Sequence, residues 1–597
     1  MNELLMGNEA IAAGALAAGV SLVAGYPGTP STEVLETVAK RKPDGVYVEW
    51  SVNEKAAMEV AAGAAYAGAR SLVTMKQVGL NVASDPLMCV NYIGIKGGMV
   101  VFVADDPGPI SSQTEQDTRH FGQYAKIPVF DASSPEEAFE MIQEAFDFSE
   151  EHGTPVIFRA TTRVCHSCAS IDVPVFKSPA PAEGFVKDSR WVIFPRLSFE
   201  SKKRLEAREP KLAELFAAYK RNTVTGHGRI GIACGGVSYA YVMEAIAGRE
   251  EEFTVFKVAT PYPFPTKLAA EFLDGVETCL VIEELDSVLE DALTYMKGNL
   301  EIRKEIKGKR DGSVPCAGEL SAEIVDGILE KLFGMPRRIQ TPAFDDMPSI
   351  PVRPPVLCAG CPHRASFYAV KKAMAGKKAV FCGDIGCYTL GNAAPLDMVD
   401  TCLCMGAGIT IAQGLNHADK ASVNFAFVGD STFFASGITG VVNAVYNQAD
   451  MILIVLDNST TAMTGHQPHP GIGRTMMGEV SAAVSIENVL KGIGLEFVRT
   501  VDPLDYTKSV EVIKEAAALK GVRAVIFKSP CIAIVKSGAP LAVDSAKCVG
   551  CAKCIRELGC PALSFSEKKA VIDETLCNGC GLCAKICPTG CIGREEA

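Results

Sequence analysis

A chain of 597 residues, 48% hydrophobic and 21% charged, has material for roughly three to five domains and the balance of an ordinary globular protein. Its net charge of -12 argues against a nucleic-acid partner, because such binding rests on neutralising phosphates. Its 22 cysteines follow an opening that lacks a basic n-region, which points away from a secreted disulfide scaffold and towards metal or redox chemistry in a cytoplasmic protein.

The first candidate element is the uncharged stretch Ala10 to Thr32, rich in Ala and Gly and ending in Pro27-Gly28-Thr29-Pro30. It lacks the ~20 strongly apolar residues of a membrane helix. It reads as a small-residue helix, a buried strand and a turn. Glu49-Trp50-Ser51-Val52-Asn53-Glu54 leads into another small-residue helix that ends near Gly68. Ser71 to Met75 and Met99 to Ala104 read as strands. Taken alone, Glu54 is a helix N-terminal charge that complements the dipole. Cys165-His166-Ser167-Cys168 is spaced like a metal motif but lacks a second pair, and it reads as structural.

Residues 184–226 are rich in charge and read as a linker carrying a helix. A new strand begins at Arg229-Ile-Gly-Ile-Ala-Cys234, and Phe253 to Val258 and Cys279 to Glu284 read as further strands. Residues 336–356 carry six prolines and read as a second linker. Asn424 to Val428 then reads as a buried strand, Gly429-Asp430-Ser431 as a turn, and Phe434 to Tyr446 as a helix. Met451 to Leu456 reads as a strand ending in Asp457-Asn458. Ligands of a parallel sheet gather at the carboxyl ends of its strands, where both Asp430 and Asn458 fall. Taken alone, Asp430 is equally readable as an ordinary strand-end acid.

The last part of the chain holds two cysteine runs. One is Cys548, Cys551 and Cys554 followed by Cys560-Pro561. The other is Cys577, Cys580 and Cys583 followed by Cys587-Pro588. The second matches the bacterial ferredoxin pattern; the first has five residues before its fourth cysteine where that pattern has three. Close-set cysteines wrap three corners of a cubane, and in two-cluster ferredoxins the fourth thiolate comes from the other run. The expected sets are therefore Cys548, Cys551, Cys554 and Cys587 for one 4Fe-4S cluster, and Cys577, Cys580, Cys583 and Cys560 for the other. Two zinc knuckles are the alternative, but neither run contains a histidine.

These motifs together resemble the thiamine-diphosphate 2-oxoacid:ferredoxin oxidoreductases. Tyr26-Pro-Gly-Thr29-Pro-Ser matches that family's Tyr-Pro-x-Thr-Pro-Ser. The match implies that Thr29 faces the substrate and that Glu54 hydrogen-bonds N1′ of the aminopyrimidine. Gly429-Asp430 and Asn458 resemble the motif that holds the diphosphate through Mg2+, with the carbonyl of Thr460 as a third ligand. Ser431 and Asp457 depart from the usual Gly and Asn. Cys358-Ala-Gly-Cys361, Cys387 in Cys382-Gly-Asp-Ile-Gly-Cys387 and Cys531 in Ser-Pro-Cys resemble the ligands of a third 4Fe-4S cluster beside the thiamine. Cys402 and Cys404 are rival ligands.

The resemblance covers nearly the whole chain and implies an α/β fold. Two thiamine-diphosphate-binding, doubly wound parallel-sheet domains flank a transketolase-C-like α/β domain, and a two-cluster ferredoxin-like module closes the chain. The implied bounds are 1–183 for the pyrimidine domain, 184–226 and 336–356 for linkers, and 227–335 for the transketolase-C-like domain. The diphosphate and Mg2+ domain spans 357–539 and the ferredoxin-like module 540–597. Ser112 to Arg119 and Asp457 to Pro468 resemble the arylpyruvate (indolepyruvate) branch. That branch implies oxidative decarboxylation of an arylpyruvate with coenzyme A, electron delivery to an external ferredoxin, and a smaller beta subunit supplying the domain this chain lacks. No nucleic acid or membrane enters that scheme. A pyruvate or other 2-oxoacid enzyme is the rival within the class. A non-oxidative thiamine decarboxylase would share Glu54, Asp430 and Asn458 but has no use for the cysteines. His363, His466 and Arg119 are candidate pocket residues.

Overall fold

The computed structural model describes residues 2–41, 43–176, 178–299, 304–339 and 350–594. It comprises two units, Met1–Met347 and Pro348–Ala597. Among the described residues, no helix is long and apolar enough to cross a membrane.

The first unit contains a six-stranded parallel sheet. Its order is Tyr47–Trp50, Leu22–Gly25, Ser71–Lys76, Met99–Asp105, Val156–Thr161, Val129–Asp131. Strands covered on both faces need continuous apolar runs, and every residue of Met99–Asp105 is buried. The small-residue stretch near the N-terminus forms helix Gly7–Ala17. Its residues are small because the helix packs backbone-close: a Cβ at Gly14 would lie 2.4 Å from the carbonyl oxygen of Phe139 in helix Pro135–His152.

A second sheet in this unit runs Glu305–Lys307, Thr278–Ile282, Ile230–Cys234, Phe253–Lys257, Thr223–Gly226. Its first four strands are parallel, and Thr223–Gly226 joins the edge antiparallel. Segment 184–226 is thus more than a linker. It carries helix Pro195–Ala217, and its last residues are sheet. The helix is fastened down by Arg208, whose Nη2 donates to Asn91 Oδ1 and to the Lys126 carbonyl, both at 3.0 Å. Of the expected linker 336–356, residues 340–349 lie outside the described residues.

Buried ion pairs brace this unit. Within the first sheet, Arg159 reaches Asp105 at 2.7 Å and Asp131 at 2.9 Å. Arg119 reaches Asp117 at 2.6 Å and Glu283 at 2.8 Å, and donates to the Glu284 carbonyl at 2.9 Å. Desolvation makes a buried cation costly unless it is paired; both guanidinium groups meet carboxylates, although Arg159 Nη2 is buried with no hydrogen-bond partner among the described residues. Arg119 is therefore a fastening between sheets rather than a residue free to meet a substrate.

The second unit has a five-stranded parallel sheet ordered Ala379–Cys382, Val423–Gly429, Met451–Asp457, Val522–Lys528, Phe497–Val501. After Val423–Gly429 the chain passes through Asp430–Thr432 and a π-helical turn, Phe433–Gly437, into helix Ile438–Tyr446. Such π-turns frequently mark functional sites. The C-terminal module pairs Ala542–Val543 with Ile592–Gly593 and Leu563–Ser566 with Lys569–Ile572, both antiparallel. Helix Lys553–Leu558 fills the long spacer of the first cysteine run and ends at Gly559, whose φ of +58° favours glycine. A Cβ there would also meet Pro395 at 2.4 Å.

Candidate functional site

In the first unit, Glu54 opens helix Glu54–Tyr66. Asn53 caps it, its side chain accepting from the Ala56 N–H at 2.9 Å. The cap fixes where Glu54 points. Burial pushes the Glu54 carboxyl up to about 7, against the pull of its own backbone hydrogen bond and of the nearby Lys76 ammonium. A Cβ at Gly79 would lie 2.6 Å from Glu54 Oε1, so that glycine leaves the space the carboxyl fills. Thr29 lies in the turn above Lys76: its carbonyl accepts from Ser111 Oγ at 3.1 Å, and Lys76 Nζ donates to the Ser111 carbonyl at 3.1 Å. A carboxyl that is buried, holds a proton near neutrality and forms no ion pair among the described residues fits a partner that both donates and accepts a proton, as an aminopyrimidine does.

In the second unit, Asp430 and Asn458 meet at the carboxyl ends of neighbouring strands. Asp430 Oδ1 accepts the Ser431 N–H at 2.8 Å, and Oδ2 accepts those of Asn458 at 3.1 Å and Ser459 at 2.8 Å. His469 Nε2 lies 3.1 Å from Oδ2. Asn458 Oδ1 accepts from the Thr460 N–H at 3.3 Å, and its Nδ2 faces His363 Nε2 at 3.2 Å. Burial alone pushes the His363 imidazole down to about 4. Asp430, Asn458 and Thr460 are all buried, and Asp430 has no Lys or Arg partner among the described residues. A buried carboxylate beside an amide oxygen and a carbonyl, without a side-chain cation, is the hard-oxygen set that fits Mg2+.

Gly429 sits beneath Tyr388, whose hydroxyl would be 2.4 Å from a Cβ there. Tyr388 donates to Asp384 Oδ2 at 3.0 Å, and Asp384 Oδ1 accepts the Gly406 N–H at 2.8 Å. Burial pushes the Asp384 carboxyl up to about 6. Asp384, Tyr388 and His469 brace this site, and sequence reasoning did not single them out. His469 lies three residues beyond His466, just past the end of the Asp457–Pro468 block; His466 itself is exposed.

The cysteines fall into three groups. One small cavity is lined by Cys548, Cys551, Cys554 and Cys587, with Cys591 as a fifth thiol. A second is lined by Cys560, Cys577, Cys580 and Cys583. In the sheet domain, burial and the charges of Cys531 and Cys358 push the Cys387 thiol up to about 11, so these three lie near one another. Cys361 joins Cys358 in one turn, its N–H donating to the Cys358 carbonyl at 3.2 Å. Cys402 turns elsewhere, its Sγ donating to the Asp384 carbonyl at 3.6 Å. Thiolates about 2.3 Å from one zinc would crowd within ~4 Å of each other. Among the described residues, no three cysteine sulfurs lie within 4.8 Å of one another. Wider sets around a cavity fit cubanes. Cys165 is buried in the core, as its structural reading expects, while Cys168 is exposed.

A fold with these donor sets defines an enzyme that holds thiamine diphosphate and iron–sulfur clusters. Family profiles agree. Residues 13–184 match "Pyruvate flavodoxin/ferredoxin oxidoreductase, thiamine diP-bdg", residues 384–527 match "Thiamine pyrophosphate enzyme, C-terminal TPP binding domain", and residues 570–593 match "4Fe-4S binding domain". The chain is 41% identical to indolepyruvate oxidoreductase subunit IorA of Methanothermobacter thermautotrophicus, over 99% of this chain and 97% of that one. It is 40% identical to the subunit of the same name from Archaeoglobus fulgidus, over 98% and 97%. A solved 2-oxoglutarate:ferredoxin oxidoreductase from Magnetococcus marinus aligns at 18% identity with a TM-score of 0.46, over 55% of this chain and 65% of that one. The chain belongs to the indolepyruvate oxidoreductase IorA family, within the 2-oxoacid:ferredoxin oxidoreductases.

Proposed function

We propose that this chain is the catalytic subunit of a cytoplasmic indolepyruvate:ferredoxin oxidoreductase, converting an arylpyruvate and coenzyme A to aryl-acetyl-CoA and CO2 and delivering the electrons to an external ferredoxin. A smaller subunit completes the enzyme. The observation that carries the reading is the second unit, where the Asp430–Asn458 oxygen site and three cysteine groups share one body. A non-oxidative thiamine enzyme has no use for those cysteines. The near-full-length likeness to indolepyruvate oxidoreductase subunits supports the aryl substrate.

When bound, thiamine diphosphate supplies nucleophilic and electron-sink chemistry at a 2-oxo carbon, and iron–sulfur clusters supply one-electron acceptance. Glu54 holds a proton in a desolvated carboxyl, ready to share it with the aminopyrimidine ring. Asp430, Asn458 and the Thr460 carbonyl would hold Mg2+ against the diphosphate. Thr29, in the turn over Lys76, would meet the substrate. Cys358, Cys361, Cys387 and Cys531 would hold a third cluster, and the two C-terminal sets would hold the others.

The test is anaerobic, coenzyme-A-dependent ferredoxin reduction by the chain co-expressed with its small partner. Indolepyruvate or phenylpyruvate is expected to outpace pyruvate. Preference for pyruvate would sink the branch, and no reduction by a fully loaded preparation would sink the redox reading.

A further inference from the structure

Arg364 follows Cys361 in the first turn of helix Pro362–Ala373 and is 4% exposed. Its guanidinium clamps two cysteine-bearing loops together. Nη1 donates to the carbonyls of Leu558 at 2.6 Å and Gly559 at 3.0 Å, just ahead of Cys560. Nη2 donates to the carbonyls of Leu357 at 2.6 Å and Cys358 at 3.4 Å. All four partners are neutral, and among the described residues no carboxylate pairs with the charge. Its Nε–H is buried and has no partner among the described residues.

The thiols whose charge bears on this guanidinium are Cys560, Cys361, Cys580 and Cys358, two from each of two cysteine groups. The groups adjoin elsewhere as well. Ala359 and Gly360 help to line the cavity of Cys560, Cys577, Cys580 and Cys583. Asn578 Nδ2 donates to the Ala359 carbonyl at 3.3 Å, in the space that the missing Cβ of Gly360 leaves. The longer spacer after Cys554 acquires a purpose here, since its helix and Gly559 deliver the two carbonyls that grip Arg364. The third group, around Cys548, has no such neighbour among the residues that Arg364 touches.

The reduction potential of a cluster is set by net charge, by hydrogen bonds to its sulfurs and by exposure. A fixed buried cation favours the reduced, more negative state, and an N–H with no other partner is free to do the same as a donor to a cluster sulfur. We propose that Arg364 is a shared potential-setting residue, whose uncompensated charge and free Nε–H raise the potentials of the clusters at Cys358/Cys361/Cys387/Cys531 and at Cys560/Cys577/Cys580/Cys583 above what those sites would otherwise have. This rests on the proposed cluster at Cys358. Arg364 acts as a positioning residue and touches no substrate. Lysine could keep the charge but could neither fork to four carbonyls nor offer Nε–H.

The test is an EPR-monitored redox titration of the whole anaerobic enzyme, parent against Arg364→Gln and Arg364→Lys, at matched iron content. In Arg364→Gln, two potentials are expected to shift negative while that of the Cys548 cluster stays put. Arg364→Lys is expected to shift the same two by less. Loaded variants with the parent's potentials overturn the proposal, and so does an equal shift of every cluster, which would mean general loosening. If Arg364→Gln fails to assemble, Arg364→Lys decides by the same comparison. Iron content of the parent separates the two hypotheses: with no third cluster, the Cys358 reading and the shared role both fall, whereas a third cluster whose potential does not move in Arg364→Gln overturns the shared role alone.

Discussion

The peptide N–H of Cys531 donates to the carbonyl oxygen of Asn458 at 2.9 Å. The backbones of Cys531 and Asn458 are thereby joined by one bond, just beyond the ends of the neighbouring strands Met451–Asp457 and Val522–Lys528. Under the proposed ligand sets, that bond would hold the main chain of a cluster ligand beside that of an Mg2+ ligand.

Because the bond is made by backbone, Cys531→Ala removes the thiol and keeps the tie. The variant is expected to lose about four iron atoms per chain, one cubane's worth, and to bind thiamine diphosphate as the parent does. Iron assay and cofactor content after gel filtration check this. Full iron in the variant would exclude Cys531 as a ligand, and lost cofactor would mean the tie depends on the side chain.

Glu54 has a folded-state pKa of about 7, raised from 4.5 by burial. A raised carboxyl pKa contributes stability below its unfolded value, and that contribution is lost as pH rises through its folded value. The cofactor-free protein should therefore lose up to about 3 kcal/mol between pH 4.5 and 7 from this group. Glu54→Gln cannot ionise and should flatten that part of the profile, while turnover falls by roughly 10²–10⁴-fold as expected for a lost proton-transfer group. Thermal midpoints of both proteins across that range test the first claim. Parallel profiles would show that Glu54 is not the titrating group.

What was legible in the sequence followed range. The C-terminal cysteine sets could be read because cluster loops bring their ligands close along the chain, leaving only the exchanged fourth cysteine to a general rule. Strands such as Met99–Asp105 announced themselves by unbroken apolar runs. Cys531 stands far along the chain from Cys358, and no periodicity joins them; only likeness to known enzymes did. His469, Asp384 and Gly79 act through tertiary contact and carry no local signature. Arg119 misled because an arginine in a motif-like block looks the same whether it meets a substrate or, as here, Asp117 and Glu283. Thr223–Gly226 is an edge strand too short to stand out from the charged segment before it.

Cys591 lies in the first ferredoxin cavity with its sulfur 3.4 Å from that of Cys587. A spare thiol at that range can take over a vacated corner of a cubane. Cys587→Ala alone is expected to retain iron close to the parent, while the double variant with Cys591→Ala loses about four atoms per chain. Equal iron loss in the single and double variants would rule out rescue by Cys591.

His469 supports Asp430 from outside the proposed ligand set, at 3.1 Å. Removing an outer partner of a metal-binding carboxylate typically costs 10–100-fold in affinity, because the ligand is no longer oriented. His469→Ala is therefore expected to weaken Mg2+-dependent thiamine diphosphate binding by roughly 10–100-fold and to leave both ferredoxin cavities and their iron intact. Asp430→Ala, which deletes the carboxylate itself, should abolish that binding at millimolar Mg2+. Titration calorimetry with the cofactor, at several Mg2+ concentrations, distinguishes the two. If His469→Ala weakens binding equally with and without Mg2+, the histidine contacts the diphosphate rather than orienting a metal ligand.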